Sequence, residues 1–593
     1  MHPLNVCVTI LTAGILLKPD DLILFFIKQY DLYPNKGMRT EVNCMSKINS
    51  QERSLLGIDQ LSIRSIVIGS LGSVVITASS MYIALKMSAL PWPTILVALL
   101  SMSVLKLIGK TTLNEVNITQ TAMSAGAMVA GGLAFTLPGL WITGTWTMES
   151  ITTENFLKVL AIAIAGSIIG SVASWLLRNR FIEKQQLPYP IGMAAAEAIK
   201  TGDEGGKKSL VLYISLGLSA IYTYFKDYVG NIPAVLFANG NFGIWNSPMA
   251  IGIGYIIGTL YTGVWFLGAI ISYVLIIPLG PKLGLFADSA AATSFASTLG
   301  IGIMIGTGFG VLISMVYKWI KNTIQNKDKK NDIFSGIKTI NDGKSLKAKL
   351  LALLFTLLTF IFTVASGLSI IPSILLIAGV YIASIMAATL TGQTGVNPME
   401  VFGIIVLLGI RLFVNVNTLD AFIIAACVAI ACGYSGDLFN DYKAGAILGT
   451  NPKAQLISQV FGGIVGSVVA TAALFALIKQ YGGVGGDTGL TAVQAFSVTT
   501  MVNGLGDPIV LTIGAVIGAV LFLLGVPAAT LGLGIYLPFI ISSAVFIGGI
   551  IRLVVDKVRP KSSATGTIAS SGLLGGEGIT GVTIAIIKLF SGV

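Results

Sequence analysis

The sequence predicts an all-α polytopic membrane protein of about 14–16 transmembrane helices, in two tandem repeats with short broken or re-entrant segments. Three observations lead there. Apolar stretches of about 20 residues recur from Leu61 to Val593, each long enough to cross ~30 Å of hydrocarbon. Charged residues make up 11% of the chain, about half the share of a soluble domain. Short stretches of the first half also recur in the same order in the second: Gly166–Val172 matches Gly462–Val468, and Phe295–Gly308 matches Ile568–Gly581.

Residues 1–60 form a polar N-terminal segment. Within it, 1–44 fits poorly with the membrane pattern of the remaining chain, because Val6–Leu17 is too short to span and lacks the basic flank of a signal peptide. Met45 or Met38 reads as the natural start, with a peripheral amphipathic segment as the alternative.

The first repeat, 61–318, opens with spans near 62–86 and 91–108, the second introduced by Pro91-Trp-Pro93. A Gly/Ala-rich span comes next at 119–143. The loop Thr143–Glu154 holds acids but no Lys or Arg and reads as external; a span at 155–177 returns to Arg178, Arg180 and Lys184. The segment Leu187–Gly202 is too short for an ordinary span. Pro190 opens it, so it reads as a half-helix or re-entrant element. Spans near 209–226, 249–279 and 293–318 complete the repeat.

The stretch 318–349 carries nine lysines against three aspartates, which marks a cytoplasmic loop, with 319–349 as its bounds. The second repeat, 350–593, holds apolar segments near 350–367, 371–390, 400–416, 419–433, 454–478, 488–503, 508–526, 528–554 and 572–590. If basic residues mark a cytoplasmic start for both repeats, each crosses an even number of times and the repeats are parallel.

Composition excludes several functions. The net charge of +11 lies largely in short loops and signals membrane orientation, not nucleic acid. His2 is the single histidine, which rules out intramembrane His-Glu-x-x-His zinc chemistry. The four cysteines show no metal-ligand spacing, and no Asp-Asp-x-x-Asp set is present, so neither an enzyme, a metal site nor a cofactor is expected.

Ionisable residues inside apolar segments point to a substrate or ion path. Asp437, Asp441 and Lys443 lie between two long apolar segments. On a helix Asp437 and Asp441 share a face, within about 6 Å, and two carboxylates so close raise one another's affinity for protons, so one could hold a proton and release it when the site opens to the other side; direct substrate binding is a further reading. Lys443 allows the alternative of a structural ion-pair cluster. Glu197 and Lys200, three apart, can pair or can bind the ends of a peptide-like substrate. The Thr391–Pro398 break presents unwound backbone near Asn397 and Pro398, either as a plain turn or as an ion or substrate contact. Glu577 and Asp288 hold nearly corresponding places in the two repeats, and Asp288 reads equally as a helix cap. Arg411 and Arg552 read as snorkelling ends.

Ser435, Asp437, Leu438, Asp441, Tyr442, Lys443, Gly445, Pro452 and Gln459 resemble a signature of the oligopeptide transporter family, Ser-Asp-Leu-(x)₂-Asp-Phe-Lys-x-Gly…Ser-Pro…Gln. That family includes the yellow-stripe metal-chelate carriers. The chain departs by the extra Gly436 and by Tyr442 in place of Phe. Tyr189, Pro190 and Gly192 are similar to the family's Tyr-Pro-Ser-Gly segment, with Ile191 in the Ser position. Asn397 and Pro398 resemble its Gly-x-Asn/Ser-Pro break, and 569–578 its Ala-Ser-Gly-Leu-x-x-Gly-Glu stretch, which singles out Glu577.

The resemblance implies a multi-pass plasma-membrane symporter that carries short peptides or metal chelates with protons, its partners being the lipid bilayer and the small-molecule substrate. A homodimer is compatible with this reading. A channel or facilitative carrier is the alternative.

Overall fold

The computed structural model describes residues 58–87, 94–187, 189–204, 207–240, 242–325, 346–395, 397–485, 488, 490–502 and 507–591. The start at Met38 or Met45, the Pro91–Pro93 motif and most of the lysine-rich loop lie outside these residues.

The chain is a bundle of helices. Nine among the described residues are long and apolar enough to cross a membrane, and four shorter apolar helices accompany them. The first half runs α1 (Ile63–Met87), α2 (Thr94–Ile108), α3 (Leu113–Ala134), α4 (Thr153–Arg178), α5 (Pro190–Glu204), α6 (Lys207–Thr223), α7 (Pro248–Ile257), α8 (Thr259–Ile270, continuing to Lys282) and α9 (Ser289–Gln325). The second runs α10 (Leu346–Ala365), α11 (Ile370–Thr394), α12 (Met399–Arg411), α13 (Thr418–Gly436), α14 (Leu438–Leu448), α15 (Pro452–Gln480), α16 (Val493–Val502), α17 (Pro508–Leu523), α18 (Ala528–Tyr536), α19 (Phe539–Val558) and α20 (Ser563–Ser591).

Two departures from the apolar pattern have local causes. The segment expected as one span at 249–279 divides at Gly258, whose φ of +90° ends α7 before Thr259 starts α8. The segment at 528–554 divides at Leu537-Pro538, since proline cannot donate into a continuing helix. A two-stranded hairpin, β1 (Val235–Asn239) with β2 (Phe242–Trp245), adds an element that hydropathy did not announce.

The centre is built from α3 and α13. Residues 421–442 are buried throughout, and α3 nearly so. Small residues make this density feasible, as they let backbones approach closely. The clearest case is α3 on α15, where a Cβ on Gly466 would collide with the Gly126 Cα.

Packing partners cross between the halves. Helix α3 packs on α15 while α4 packs on α13; α7 packs on α19 while α8 packs on α18; α6 packs on α20 while α9 packs on α17.

Candidate functional site

Helix α13 does not continue smoothly into α14. Asp437 joins them with helical φ and ψ, its N–H bonded to Gly433 O at 2.9 Å. The junction is wholly buried, so its carboxyl group meets protein and not water.

Opposite it, α11 ends at Gly395, whose φ of +77° turns the chain out of the helix. Pro398, with no N–H to give, precedes α12. Between them the Asn397 side-chain amide donates to Cys432 O and to Asp437 Oδ2, both at 2.9 Å. Gly436 permits this contact, because a Cβ there would sit 2.8 Å from both Asn397 Cγ and Thr391 Oγ1. The residue that departs from the family signature is thus where α13 meets the break.

The segment before α5 docks on the same region. Tyr189 adopts φ +44°, and its N–H donates to Gly392 O at 3.0 Å. Its hydroxyl donates to Ala388 O at 2.8 Å, and its ring meets Phe439 edge-on at 5.7 Å. Gly192 N–H donates to Asn440 Oδ1 at 3.0 Å, and Pro190 is the first residue of α5. Three stretches remote in sequence therefore meet: 189–192, 391–398 and 437–441.

Asp441 finds a different partner. Gln120, from the middle of α3, donates to Asp441 Oδ1 at 2.7 Å. Gln455 donates to Asp441 O at 2.9 Å and Tyr442 to Gln459 Oε1 at 2.8 Å, while Gln459 reaches Ser171 and Ser174 at 3.2 Å each. The two carboxyl groups are each held by a primary amide. Asp437 Oδ1, Asp441 Oδ2, Asn397 Oδ1 and Gln120 Oε1 are buried without a hydrogen bond.

Lys443 is half-buried, and among the described residues it makes no ion pair with either aspartate. On α5, Ile191, Ala195, Ala196 and Ile199 turn inward, leaving Glu197 exposed and Lys200 half-buried.

Glu577 lies apart from this cluster, in α20. It pairs with Lys226 at 2.8 Å and accepts from Ser247 Oγ at 2.9 Å and Met249 N at 2.7 Å. Both charges are almost fully buried; the pair fastens α20 to the residues that follow α6, and the Ser247 and Met249 bonds fasten it to the start of α7. Asp288 is exposed and caps α9, accepting from Ala291 N at 2.7 Å. Arg411 donates to Val502 O at 2.9 Å, and Arg552 pairs with Asp556 beneath the Tyr255 ring.

Sequence reasoning missed Gln120, Lys226 and Glu400. Each left a trace: a glutamine in a Gly/Ala-rich span, a lysine at the end of one, and an acid just after Asn397-Pro398. Glu400 is buried in the first turn of α12.

Residues 60–588 match the family described as OPT oligopeptide transporter protein. A Haemophilus influenzae protein provisionally named an oligopeptide transporter is 26% identical, the match covering 86% of this chain and 92% of that one. The metal-nicotianamine transporter YSL1 of Arabidopsis thaliana is 24% identical over 62% of this chain and 63% of its own. A rice protein (Oryza sativa subsp. japonica) provisionally named a metal-nicotianamine transporter is 24% identical over 54% of each.

Proposed function

Because the chain belongs to the oligopeptide transporter family, we propose that it is a secondary active symporter of the plasma membrane, moving short peptides or metal-chelate complexes together with protons. The observation that carries this reading is the setting of Asp437 and Asp441. Both are buried at a helix junction, and each faces a primary amide and no cation among the described residues. Intramembrane carboxyl groups in such places mark ion or proton paths. Asn397 and Gln120 suit the task, since an amide offers a donor to the anion and an acceptor to the acid. Each aspartate can therefore keep its partner whether or not it carries a proton.

Tyr189, Gly192 and Asn397 knit the half-helix α5 and the α11–α12 break to the aspartate junction. A movement of either segment would change what the carboxyl groups meet, which is the requirement for coupling. The substrate's route is proposed to run past these broken elements, as in other carriers whose sites lie between internal repeats.

A duplication is part of the same proposal, with 61–318 and 350–593 as the two copies. Ala492 adopts φ +39° ahead of α16 and donates its N–H to Leu85 O, near the end of α1, at 2.8 Å. Tyr189 does the same ahead of α5, toward the end of α11. The exchanged packing of α7 and α8 with α19 and α18 supports the same relation. The lysine-rich segment 319–349 then lies on the cytoplasmic side.

The deciding experiment is uptake into proteoliposomes holding the purified chain under an imposed pH gradient. A labelled peptide or metal chelate should accumulate above its outside concentration, and a protonophore should abolish the excess. Equilibration without accumulation would favour a channel or facilitative carrier instead.

A further inference from the structure

Helices α5 and α16 are too short to cross the membrane, and each enters and leaves by one face. Helix α5 has 15 residues and α16 has 10, against about 20 for a span. The faces follow from contacts at the helix ends. Gln60, just before α1, donates to Gly449 O at 3.3 Å and accepts from Asn451 N at 2.6 Å, while Thr450 donates to Asn114 Oδ1 at 3.0 Å. The starts of α1, α3 and α15 and the end of α14 therefore share one face. At the opposite face Trp141 and Trp146, beyond α3, meet the Phe475 ring of α15 at 5.8 and 6.1 Å, and Phe156 of α4 meets the same ring at 5.9 Å.

Helix α5 belongs to the first face. It follows the end of α4, where Arg178 lies 5.8 Å from the centre of the Tyr442 ring. Its own end returns to α2, where Lys106 pairs with Asp203 at 3.0 Å, and Lys110 O just beyond α2 accepts from Arg64 of α1 at 2.7 Å. Helix α16 belongs to the second face. It follows the end of α15, and its last residue, Val502, accepts from Arg411 at the end of α12 at 2.9 Å. Its Thr499 Oγ1 stands 2.7 Å from where a Cβ on Gly139 would be, beyond α3.

Both helices begin with the same device. Tyr189, one residue before α5, has φ +44° and donates to Gly392 O, two residues from the end of α11. Ala492, one residue before α16, has φ +39° and donates to Leu85 O, two residues from the end of α1. Residues with a Cβ rarely hold this left-handed backbone, so each latch is closed under strain. The surroundings differ. Beside the α5 latch Gly192 donates to Asn440 Oδ1 and Tyr189 meets Phe439, both on the helix that follows Asp437 and carries Asp441. Around the α16 latch stand Leu85, Gly139, Phe422 and Thr499, none of them charged.

We propose that α5 and α16 are two gates on opposite faces, each shut by one strained main-chain latch, and that the aspartate junction answers to the α5 gate alone. This rests on the transporter reading above. One ionisable gate and one uncharged gate tie proton movement to the opening of a single face.

The test places single cysteines at Ala196 on α5 and at Ala495 on α16, which are 1% and 0% exposed, in the full chain freed of its native cysteines. Labelling by an impermeant methanethiosulfonate is followed in intact cells and in inside-out vesicles. Ala196→Cys and Ala495→Cys should react from opposite sides, each from one side only. Ala492→Gly removes the strain of the shut latch and should slow labelling at Ala495→Cys roughly fivefold. Asp437→Asn and Asp441→Asn should shift labelling at Ala196→Cys by roughly fivefold and leave Ala495→Cys unchanged.

Reaction of both cysteines from one side, of either from both sides, or of neither would overturn the two gates. So would labelling at Ala495→Cys that Ala492→Gly leaves unchanged or speeds. An equal shift at both cysteines in the Asn variants, or no shift, would overturn the one-sided role of the aspartates. Should either cysteine variant fail to fold, the buried positions Ala198→Cys and Val498→Cys take their places. Proton-driven uptake is scored separately: a chain that labels as expected without accumulating substrate keeps both gates and loses the symporter reading.

Discussion

Asn397 bonds Asp437 across a separation of 40 residues, and with the same nitrogen it holds Cys432 O. One side chain thus ties the α11–α12 break to the end of α13. The aspartate cannot change its surroundings without moving the break, which is the mechanical content of the coupling reading.

Replacing either aspartate by asparagine tests that reading. Asp437→Asn and Asp441→Asn, made separately, should each lose proton-driven accumulation by roughly tenfold or more, a coupling of about 1.4 kcal/mol. Each should retain substrate exchange at equal pH on both sides. Full pH-dependent accumulation in both variants would end the proposal.

Gln120 should matter as much to folding as to transport. Gln120→Leu removes the amide that meets Asp441 at 2.7 Å and leaves a buried carboxyl group unsupported. The expected cost is about 1–3 kcal/mol, read as a lower unfolding midpoint in detergent. Gln120→Glu, which keeps the size but loses the donor, should not restore it.

The helices themselves were readable because hydropathy along the chain reports how long a segment stays in lipid. The family motifs likewise flagged Tyr189, Asn397 and Asp437 as residues of consequence. Their partners were hidden, since a linear pattern says nothing about which helix lies alongside which. Gln120 and Asp441 stand 321 positions apart and meet only because α3 packs beside α14. The breaks at Gly258 and Pro538 were hidden for a different reason: the apolar run continues through each, and only the backbone turns.

Gly436 should tolerate no side chain. Gly436→Val would push against Asn397 and Thr391 and should cost about 1–3 kcal/mol. Gly217→Ala, where a Cβ meets nothing within 4 Å, serves as the control and should be neutral or slightly stabilising. Equal behaviour of the two in thermal unfolding would contradict the close approach at the break.

Lys226 and Glu577 should act as a unit. Lys226→Met alone leaves the buried Glu577 carboxylate without its cation, at a cost of about 3–5 kcal/mol, whereas Glu577→Gln leaves Lys226 with Asp227 at 3.6 Å and should cost less. The double variant Lys226→Met/Glu577→Leu should recover much of that stability. If it also recovers uptake, the pair is a fastening; loss of uptake in a stable double variant would assign Glu577 to the transport path.

Topology is checked by labelling. A single cysteine at Ser335, in a background free of the native cysteines, should react with an impermeant maleimide only after permeabilisation. Labelling in intact cells would reverse the orientation and remove the parallel-repeat proposal.

The hydrogen bonds from Tyr189 to Gly392 and from Ala492 to Leu85 have a consequence for biogenesis. A ribosome delivers Tyr189 to the membrane long before the carbonyl it will bind has been made. The entrance to α5 therefore stays unlatched while the later helices are inserted, and closes only when α11 arrives. Ala492 meets no such delay, because Leu85 is already in place. The nascent chain thus finishes its earlier half with material from its later one. A chain that stalls before Gly392 would reach quality control with α5 still undocked.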